Sequence, residues 1–260
     1  MTPAGPGETI PGGGEQVDRS TTASEQGERG RRLEEVRSFF DAWSLFHKVI
    51  LGDHSSHIGA YRALAALLSG RAPFRFLDLG CGDACGTAWA LSGKAVSSYV
   101  GVDLSSVALG LARLNLEKLT CPKEFLEEDF SLAVARPQER FDVVWIGLSL
   151  HHLPTEAKGA FLADVRRLLV PGGVLGVYDP FRSEGEGRDV FHERWWELCR
   201  SRWVALEPAE REALHEHVTR SDFPESAASL EELSEEAGFR SCNLLFADPD
   251  GIYRVYALRT

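Results

Sequence analysis

Short apolar runs alternate with helical patterns along most of the chain, beginning near residue 74. A run that is apolar almost throughout predicts a strand covered on both faces, and apolar residues three or four positions apart predict the helix that follows. The runs predicted as strands are residues 74–79, 99–103, 123–127, 141–147, 174–178, 241–246 and 252–258. Strands that alternate with helices are typical of a mostly parallel sheet with helices on both faces.

Helical patterns also flank this alternating region and interrupt it once. Two helical runs lie within residues 33–70, and a Trp-rich, largely helical stretch extends from about residue 187 to 217. Residues 1–30 are rich in Gly, Pro, Ser, Thr and Glu, which predicts a disordered tail. The predicted organisation is this tail, cap helices at 31–72, and one domain at 73–260 with a helical insertion at about 187–217.

Two helix starts are indicated by residues that commonly cap helices. Ser105 or Ser106 is the predicted cap of the helix after the second strand, and Thr155 is the predicted cap of the helix after the fourth strand. Pro171-Gly172-Gly173 is expected to end the helix after the fourth strand and to turn the chain into the fifth strand.

The composition fits a globular protein and argues against several other classes. The 260 residues are 43% hydrophobic, which is enough apolar material for one sizeable core. The formal charge of −11 argues against nucleic-acid binding, which needs dense Lys and Arg patches. We find no apolar run near the ~20 residues of a membrane helix and no signal-peptide core, so we expect a cytoplasmic protein that binds no membrane. The five cysteines are scattered, which indicates reduced thiols.

The candidate chemistry lies in the loops that follow the predicted strands, where open α/β sheets bind ligands. Gly80 and Gly82 follow the first strand and allow the backbone to approach a ligand closely. Asp103 ends the second strand, where a carboxylate can accept both hydroxyls of a ribose. Asp129 and Phe130 follow the third strand and offer an acceptor and an aromatic edge to an adenine. Together these loops predict a cofactor with a nucleoside part.

Five stretches of the chain resemble the class I S-adenosylmethionine-dependent methyltransferases, in family order and at family spacing. They are LDLGCG at 77–82, VGVDLS at 100–105, EDF at 128–130, FDVVWIGLSLHHL at 141–153 and LLVPGGVLGVYD at 168–179. The resemblance implies an α/β fold with a seven-stranded, mostly parallel, Rossmann-like sheet, an antiparallel last strand and added helices forming a lid. It also implies S-adenosylmethionine as the cofactor and a small-molecule methyl acceptor, whose reacting atom is left open among O, N, S and C.

The same resemblance implies which residues bind the cofactor. They are Asp78, Gly80, Cys81, Gly82, Asp103, Leu104, Asp129, Phe130 and Gly147. By this resemblance the two glycines contact the methionine part, Asp103 binds the ribose, and Asp129 with its neighbouring phenylalanine contacts the adenine. Asp78 orients the ammonium group or its waters. Ala84 departs from the family pattern, which often has a third glycine there.

Two adjacent histidines, His151 and His152, follow the fourth strand, at the position that faces the sulfonium and the acceptor in this family. Either one is a candidate general base or acceptor-orienting group, and the sequence does not separate them. Packing against the cofactor is the alternative role. The residues implied in the substrate pocket are His54, His57, Trp195 and His217. His215, Asp222 and Asp179 are further polar candidates, with loop capping as the alternative for Asp179.

Other functions on the same fold were weighed against methyl transfer. A nicotinamide dinucleotide enzyme would have a third glycine where Cys85 stands, and the acidic Asp83 beside the turn disfavours a pyrophosphate. Transfer of another group from a related donor, as in aminopropyl transferases, and non-catalytic cofactor binding beside another protein stay open. No metal site is predicted, because His54 and His57 lack companion ligands at a standard spacing. The oligomeric state is left open.

Overall fold

A computed structural model describes residues 43–136 and 139–260. The prediction of a tail at 1–30 and the beginning of the predicted cap helices therefore lie outside the described residues. Within the described chain, two helices precede the sheet, α1 (Trp43–Leu51) and α2 (His57–Leu67).

The sheet has seven strands on one continuous path and one short additional strand. They are β1 (Phe74–Leu79), β2 (Val96–Asp103), β3 (Lys123–Glu127), β4 (Phe141–Gly147), β5 (Leu169–Arg182), β6 (Glu225–Ser226), β7 (Ser241–Ala247) and β8 (Tyr253–Arg259). The order across the sheet is β3-β2-β1-β4-β5-β8-β7, with β6 beside the end of β5. The described strands pair in parallel, except that β8 is antiparallel to both of its neighbours. The predicted sheet with an antiparallel last strand is confirmed.

Helices cover both faces of this sheet. They are α3 (Cys85–Leu91), α4 (Ser106–Asn115), α5 (Phe130–Ala135), α6 (Thr155–Leu168), α7 (Arg188–Arg202), α8 (Pro208–Ser221) and α9 (Ala227–Glu236), with a 3₁₀ turn at Leu150–His152. One layer of the core joins the sheet to α1, α2, α3, α4, α7 and α8, and the other joins it to α5, α6 and α9. Both faces of the central strands are thus buried, which explains why their sequences are apolar throughout.

The capping predictions have different outcomes. Ser105 does cap α4, because its hydroxyl oxygen accepts a hydrogen bond from the Ala108 N–H at 3.2 Å. The prediction for Thr155 is wrong, because Pro154 occupies the cap position and Thr155 is the first helical residue. Its hydroxyl instead donates to the buried carboxylate of Glu225 at 2.7 Å. A hydrogen bond to a residue distant in sequence therefore replaces the helix cap that the local pattern predicts for Thr155.

Strand β5 is much longer than predicted. It starts directly after α6, so the Pro171-Gly172-Gly173 segment lies inside the strand instead of before it. Phe141 pairs with Leu169 and Val143 with Val174, so β5 contains extra residues there and forms a bulge. Its far end pairs with β6 and β8. The sequence did not predict this extension, β6 or α5.

Trp145 in the centre of β4 explains a glycine on the neighbouring strand. Its indole is fully buried, and Gly176 is its direct partner across the β4–β5 pair. A Cβ added to Gly176 would lie 2.5 Å from the Cε3 atom of Trp145, which is far inside van der Waals contact. The strand therefore needs a residue without a side chain beside this indole.

We predict that Gly176→Ala lowers the free energy of unfolding by roughly 1–3 kcal/mol, because a buried indole on a central strand cannot move aside without repacking. Gly110→Ala is the matched control, since Gly110 is an exposed residue of α4 and a Cβ there meets nothing within 4 Å. That change should raise the free energy of unfolding by roughly 0.5–1 kcal/mol. Urea denaturation of both variants measures the difference, and equal effects would contradict the packing argument.

Candidate functional site

A cavity of about 420 Å³ opens at the carboxyl ends of β1, β2 and β4. Its walls are the loop after β1, the start of α3, the ends of β2 and β4, and one side of α2. The lining residues include Gly80, Cys81, Gly82, Asp83, Asp103, Gly147, His57, Tyr61 and Trp89. Five of the residues predicted to bind the cofactor therefore surround one space, which we call the first cavity.

The loop after β1 forms a wall of the first cavity with its backbone. Gly80 has a φ of +62° and Gly82 a φ of +53°, a region that side chains disfavour. A Cβ on Gly80 would also lie 2.2 Å from the Oγ atom of Ser149, so the loop has no space for one. Ala84 adopts a φ of +53° without being glycine, which shows that the family's third glycine is not required for this turn.

Asp103 is held at the end of β2 by two backbone donors. The Gly82 N–H donates to one carboxylate oxygen at 2.8 Å, and the Ser105 N–H donates to the other at 2.9 Å. A carboxylate oxygen can accept more than one hydrogen bond, and Asp103 lines the first cavity, where a ligand can reach it. Leu104, which follows it, is half-buried and is not among the described residues that line the cavity.

Asp78 lies behind the first cavity instead of lining it. It is buried, and the hydroxyl of Tyr99 donates to its Oδ2 atom at 2.9 Å. Burial raises the pKa of Asp78 to about 7, although hydrogen bonds from Thr87 and Tyr99 oppose this shift. The neighbouring Cys81 lines the cavity, and burial raises the pKa of its thiol well above the usual value. Cys81 is therefore a neutral wall residue.

Asp129 and Phe130 stand at the start of α5. The Asp129 carboxylate caps this helix by accepting hydrogen bonds from the N–H and the hydroxyl of Ser131, both at 2.8 Å. The ring of Phe130 packs edge-on against Phe161, with ring centroids 5.5 Å apart. Neither residue is among the described residues lining the first cavity. Their contact with an adenine stays a prediction.

A second, smaller cavity of about 70 Å³ adjoins the first. It is lined by Val49, Ser55, Leu148, His151, His152, Pro180, Phe191, Trp195, Trp203, Leu214, His217, Val218, Asp222 and Tyr253. Leu148 lines both cavities and has a φ of +50°, an unusual conformation for a branched residue. The residue that separates the two spaces is thus held in a sparsely populated backbone conformation directly after β4.

A cluster of two carboxylates and three imidazoles closes one end of the second cavity. His151 Nδ1 lies 2.8 Å from Asp179 Oδ1, and its Nε2 lies 3.6 Å from Asp222 Oδ2. His152 Nδ1 lies 3.4 Å from the other oxygen of Asp222. The ring of His217 packs edge-on against His152 at 5.7 Å. We call these five residues the His–Asp cluster.

The segment that carries Asp222 is fixed to the 3₁₀ turn that carries the histidines. The Phe223 N–H donates to the carbonyl of His151 at 2.7 Å. Behind it, the buried Lys158 ammonium donates to the carbonyl of Phe223 and, at 2.9 Å, to Glu225. These contacts hold Asp222 beside His151 and His152, although it follows them much later in the chain.

Burial and neighbouring charges shift the pKa values of His151, His152, His217 and Asp222 in different directions. Burial opposes a proton on His151, but Asp222 and Asp179 outweigh it and raise the pKa of His151. Burial, together with His151, lowers the pKa of His152, and burial lowers that of His217 to about 3. The pKa of Asp222 would rise by burial, but the neighbouring histidines lower it to about 2. At neutral pH the cluster therefore combines an ionised Asp222 with two neutral imidazoles.

The structure separates the residues predicted in the substrate pocket. Trp195 and His217 line the second cavity, and the indole N–H of Trp195 donates to the Tyr253 hydroxyl at 2.9 Å. His57 lines the first cavity, and burial lowers its pKa to about 4. His54 stacks on Trp203 at 5.1 Å and is among the described lining residues of neither cavity.

In the sequence, Asp179 and Asp222 are only polar candidates. Their contacts with His151 are not predicted, because no local pattern relates the end of β5 to the segment after α8. Leu148 and Tyr61, which line the first cavity, are not predicted as site residues either. Neither the positive φ of Leu148 nor the direction of the α2 face that carries Tyr61 leaves a signal in the sequence.

The same cluster bears on the expectation that no metal is bound. His151, His152 and Asp222 each offer one potential ligand atom, and these atoms lie within 4.8 Å of one another. Two histidines and one carboxylate are a donor set that divalent transition metals accept. A metal titration therefore belongs among the tests of this cavity.

None of the helices in the described ranges has the length and apolar character needed to cross a membrane.

Comparison with known proteins finds methyltransferases. A family model for a methyltransferase domain matches residues 76–173. A protein named probable methyltransferase ltbC from Aspergillus luteorubrus is 28% identical over 127 residues, 46% of this chain and 45% of that protein. A trans-aconitate 2-methyltransferase from Acidovorax sp. (strain JS42) is 33% identical over 139 residues, 54% of this chain and 51% of that protein. The chain thus spans about half the length of these relatives.

The fold is also similar to a solved structure over almost its whole length. That structure is the 1,6-didemethyltoxoflavin-N1-methyltransferase of Burkholderia thailandensis, with bound 1,6-didemethyltoxoflavin and S-adenosylhomocysteine. The TM-score is 0.58 at 22% identity, and the match covers 94% of this chain and 93% of the other. The likeness shows that the two chains share a fold.

We predict that Asp222→Asn lowers the pKa of His151, because it removes a negative charge that favours the imidazolium. The folded pKa of His151 lies above its unfolded value of about 6.5. Its proton therefore adds stability that is fully present below about pH 6.5 and is lost as the pH rises through the folded pKa. The variant should lose this contribution at a lower pH.

Histidine side-chain NMR titrations and urea denaturation at several pH values measure the two effects. Asp250→Asn is the control, since Asp250 is paired with Arg202 near the surface. An unchanged His151 titration in Asp222→Asn would contradict the proposed electrostatics of the cluster.

Proposed function

We propose that this chain transfers a methyl group from S-adenosylmethionine to a small-molecule acceptor, and the match of residues 76–173 to a methyltransferase-domain model supports this. The observation that carries the proposal is the meeting of two cavities at Leu148. In the first cavity the glycine loop lets a ligand lie close to the backbone, and the second cavity is lined by ionisable side chains. Adjoining sites for donor and acceptor are what an aligned displacement requires.

The first cavity suits the donor. Its volume of about 420 Å³ lies within the usual range for small-molecule and cofactor sites. Gly80 and Gly82 would lie against the methionine part, and the carboxylate of Asp103 would accept hydrogen bonds from the ribose hydroxyls. Asp78 would act on the ammonium group from behind the wall, and Asp129 with its neighbouring ring would contact the adenine.

The second cavity suits the acceptor. Its volume of about 70 Å³ is much smaller than the about 420 Å³ of the first cavity, which favours a compact acceptor. Its aromatic and aliphatic walls favour a compact, largely apolar molecule. The Burkholderia thailandensis neighbour binds 1,6-didemethyltoxoflavin together with S-adenosylhomocysteine, which supports a small-molecule acceptor for this chain as well.

When bound, S-adenosylmethionine supplies a methyl group carried on a positively charged sulfur. The residues of the chain would position the acceptor and accept the proton that it loses. His152 is neutral at pH 7, because burial lowers its pKa, so it can accept a proton from the acceptor. Asp222 stays ionised and would stabilise the resulting imidazolium. His151, fixed by Asp179, holds Asp222 in place from the other side.

Calorimetric titration with S-adenosylmethionine and S-adenosylhomocysteine, with NAD as the control ligand, tests the cofactor. Micromolar binding of the two sulfur ligands without binding of NAD is the expected result. Product analysis then separates the alternatives. S-adenosylhomocysteine identifies methyl transfer, methylthioadenosine identifies aminopropyl transfer, and cofactor binding without product over a panel of acceptors favours a non-catalytic role.

We predict that Asp103→Ala weakens binding of S-adenosylhomocysteine about 10- to 150-fold. Each charge-assisted hydrogen bond to a ribose hydroxyl contributes roughly 1.5–3 kcal/mol, and the loss of even one gives a change of this size. Calorimetry measures the dissociation constant directly.

Asp142→Ala is a matched control for the structural part of this change. Asp142 also accepts a backbone N–H, from Arg75 at 2.8 Å, but near the opposite end of the sheet. Its removal should leave the affinity for S-adenosylhomocysteine unchanged. Equal affinities in the two variants would refute the placement of the ribose at Asp103.

A further inference from the structure

Apart from Ser55, the residues that line the second cavity outside the His–Asp cluster are apolar or aromatic. Its apolar and aromatic walls include Phe191, Trp195, Trp203, Leu214, Val218 and Tyr253. Its polar end presents His151, His152, His217 and the carboxylate of Asp222. No Lys or Arg is among the described residues that line this cavity. A ligand with a negative charge would therefore find no permanent cation there.

Two cations near this polar end, Lys158 and Arg188, are engaged outside the cavity, and Arg220, whose charge acts on His217, does not line it either. The Lys158 ammonium binds Glu225 and the carbonyl of Phe223. Arg188 Nε donates to the backbone carbonyl of Asp222 at 2.7 Å, and its guanidinium lies over the Phe223 ring at 4.4 Å. Both cations fix the backbone of the segment that carries Asp222, and neither lines the cavity.

The polar end is built around a buried carboxylate. Asp222 lines the cavity, and a carboxylate only accepts hydrogen bonds. Asp179 contacts the same imidazole of His151 from its other nitrogen, so two carboxylates flank a ring that can carry one positive charge. The cluster therefore favours a ligand that brings a donor or a positive charge.

We propose that the second cavity selects an uncharged or cationic ring compound that presents an N–H or O–H group to Asp222, and that it excludes carboxylates and phosphates. This inference rests on the proposed function, in which the second cavity holds the acceptor. An anion buried here would lose its hydration and face Asp222, and the one positive charge that His151 can carry is already flanked by Asp179 and Asp222. Both effects weaken its binding. A donor on the ligand would instead satisfy a buried carboxylate.

Three probes of nearly identical shape test the charge preference. Benzamidinium, benzamide and benzoate each carry one ring and one planar polar group, with a positive, zero and negative charge respectively. Calorimetry, with and without saturating S-adenosylhomocysteine, gives their dissociation constants, and quenching of Trp fluorescence reports occupation beside Trp195 and Trp203. We expect benzamidinium and benzamide to bind, and benzoate to bind at least about tenfold more weakly.

Asp222→Asn tests whether Asp222 causes this order. The amide keeps the size of the side chain and removes its charge, so benzamidinium should bind at least about tenfold more weakly. The ratio between the dissociation constants of benzoate and benzamidinium should therefore become smaller. Asp142→Asn, near the amino end of β4, should keep the wild-type order. Circular dichroism verifies folding, and the order in the wild-type protein tests the proposal even where the variant does not fold.

Several outcomes would overturn the proposal. Benzoate binding as tightly as benzamidinium is one, and an unchanged order in a folded Asp222→Asn variant is another. Failure of all three probes to bind would show that the cavity does not take such a ring. Stoichiometric Zn²⁺ or Mn²⁺ binding that makes benzoate the preferred probe would identify the His–Asp cluster as a metal site instead. Failure of S-adenosylhomocysteine to bind would count against the proposed function alone, since the probe series is also measured without it.

Discussion

The parallel pairing of β1 with β4 determines where both cavities lie. The chain leaves β1 through α3 and leaves β4 through α6, and these helices pack on opposite faces of the sheet. Because the two connections diverge, a crevice opens between the carboxyl ends of the two strands. The glycine loop after β1 and the segment Leu148–His152 after β4 face each other across it. They approach so closely that a single Cβ on Gly80 would strike Ser149.

The His–Asp cluster adds a second constraint, because charges buried among aromatic rings must be paired. Asp179 comes from β5, the histidines from the turn after β4, and Asp222 from the end of α8. The insertion that contains α7 and α8 therefore has two roles. It supplies much of the apolar wall of the second cavity, beside Val49 and Tyr253 from other elements, and it carries Asp222 to the polar end. The buried pair of Lys158 and Glu225 anchors the segment that makes this possible.

The fold was largely predictable because central parallel strands leave a strong local signal. A strand covered on both faces must be apolar throughout, and β1 and β4 were predicted with the bounds that the structure has. The failures occurred where a distant contact overrides a local preference. Thr155 donates to Glu225 instead of capping α6, and β5 continues through a bulge and beyond the prediction because β8 and β6 pair with it.

The parts of the candidate site that lie within one strand and its following loop can be read from the sequence. Gly80 and Gly82 follow β1, Asp103 ends β2, and their spacing along the chain already implies a ligand at that edge of the sheet. The position of His151 between Asp179 and Asp222, and the second cavity beside this cluster, are visible only in the folded chain. A buried strand and the glycine turn after it depend on residues adjacent in sequence, whereas the charge and protonation of a buried side chain depend on groups that folding brings from distant parts of the chain.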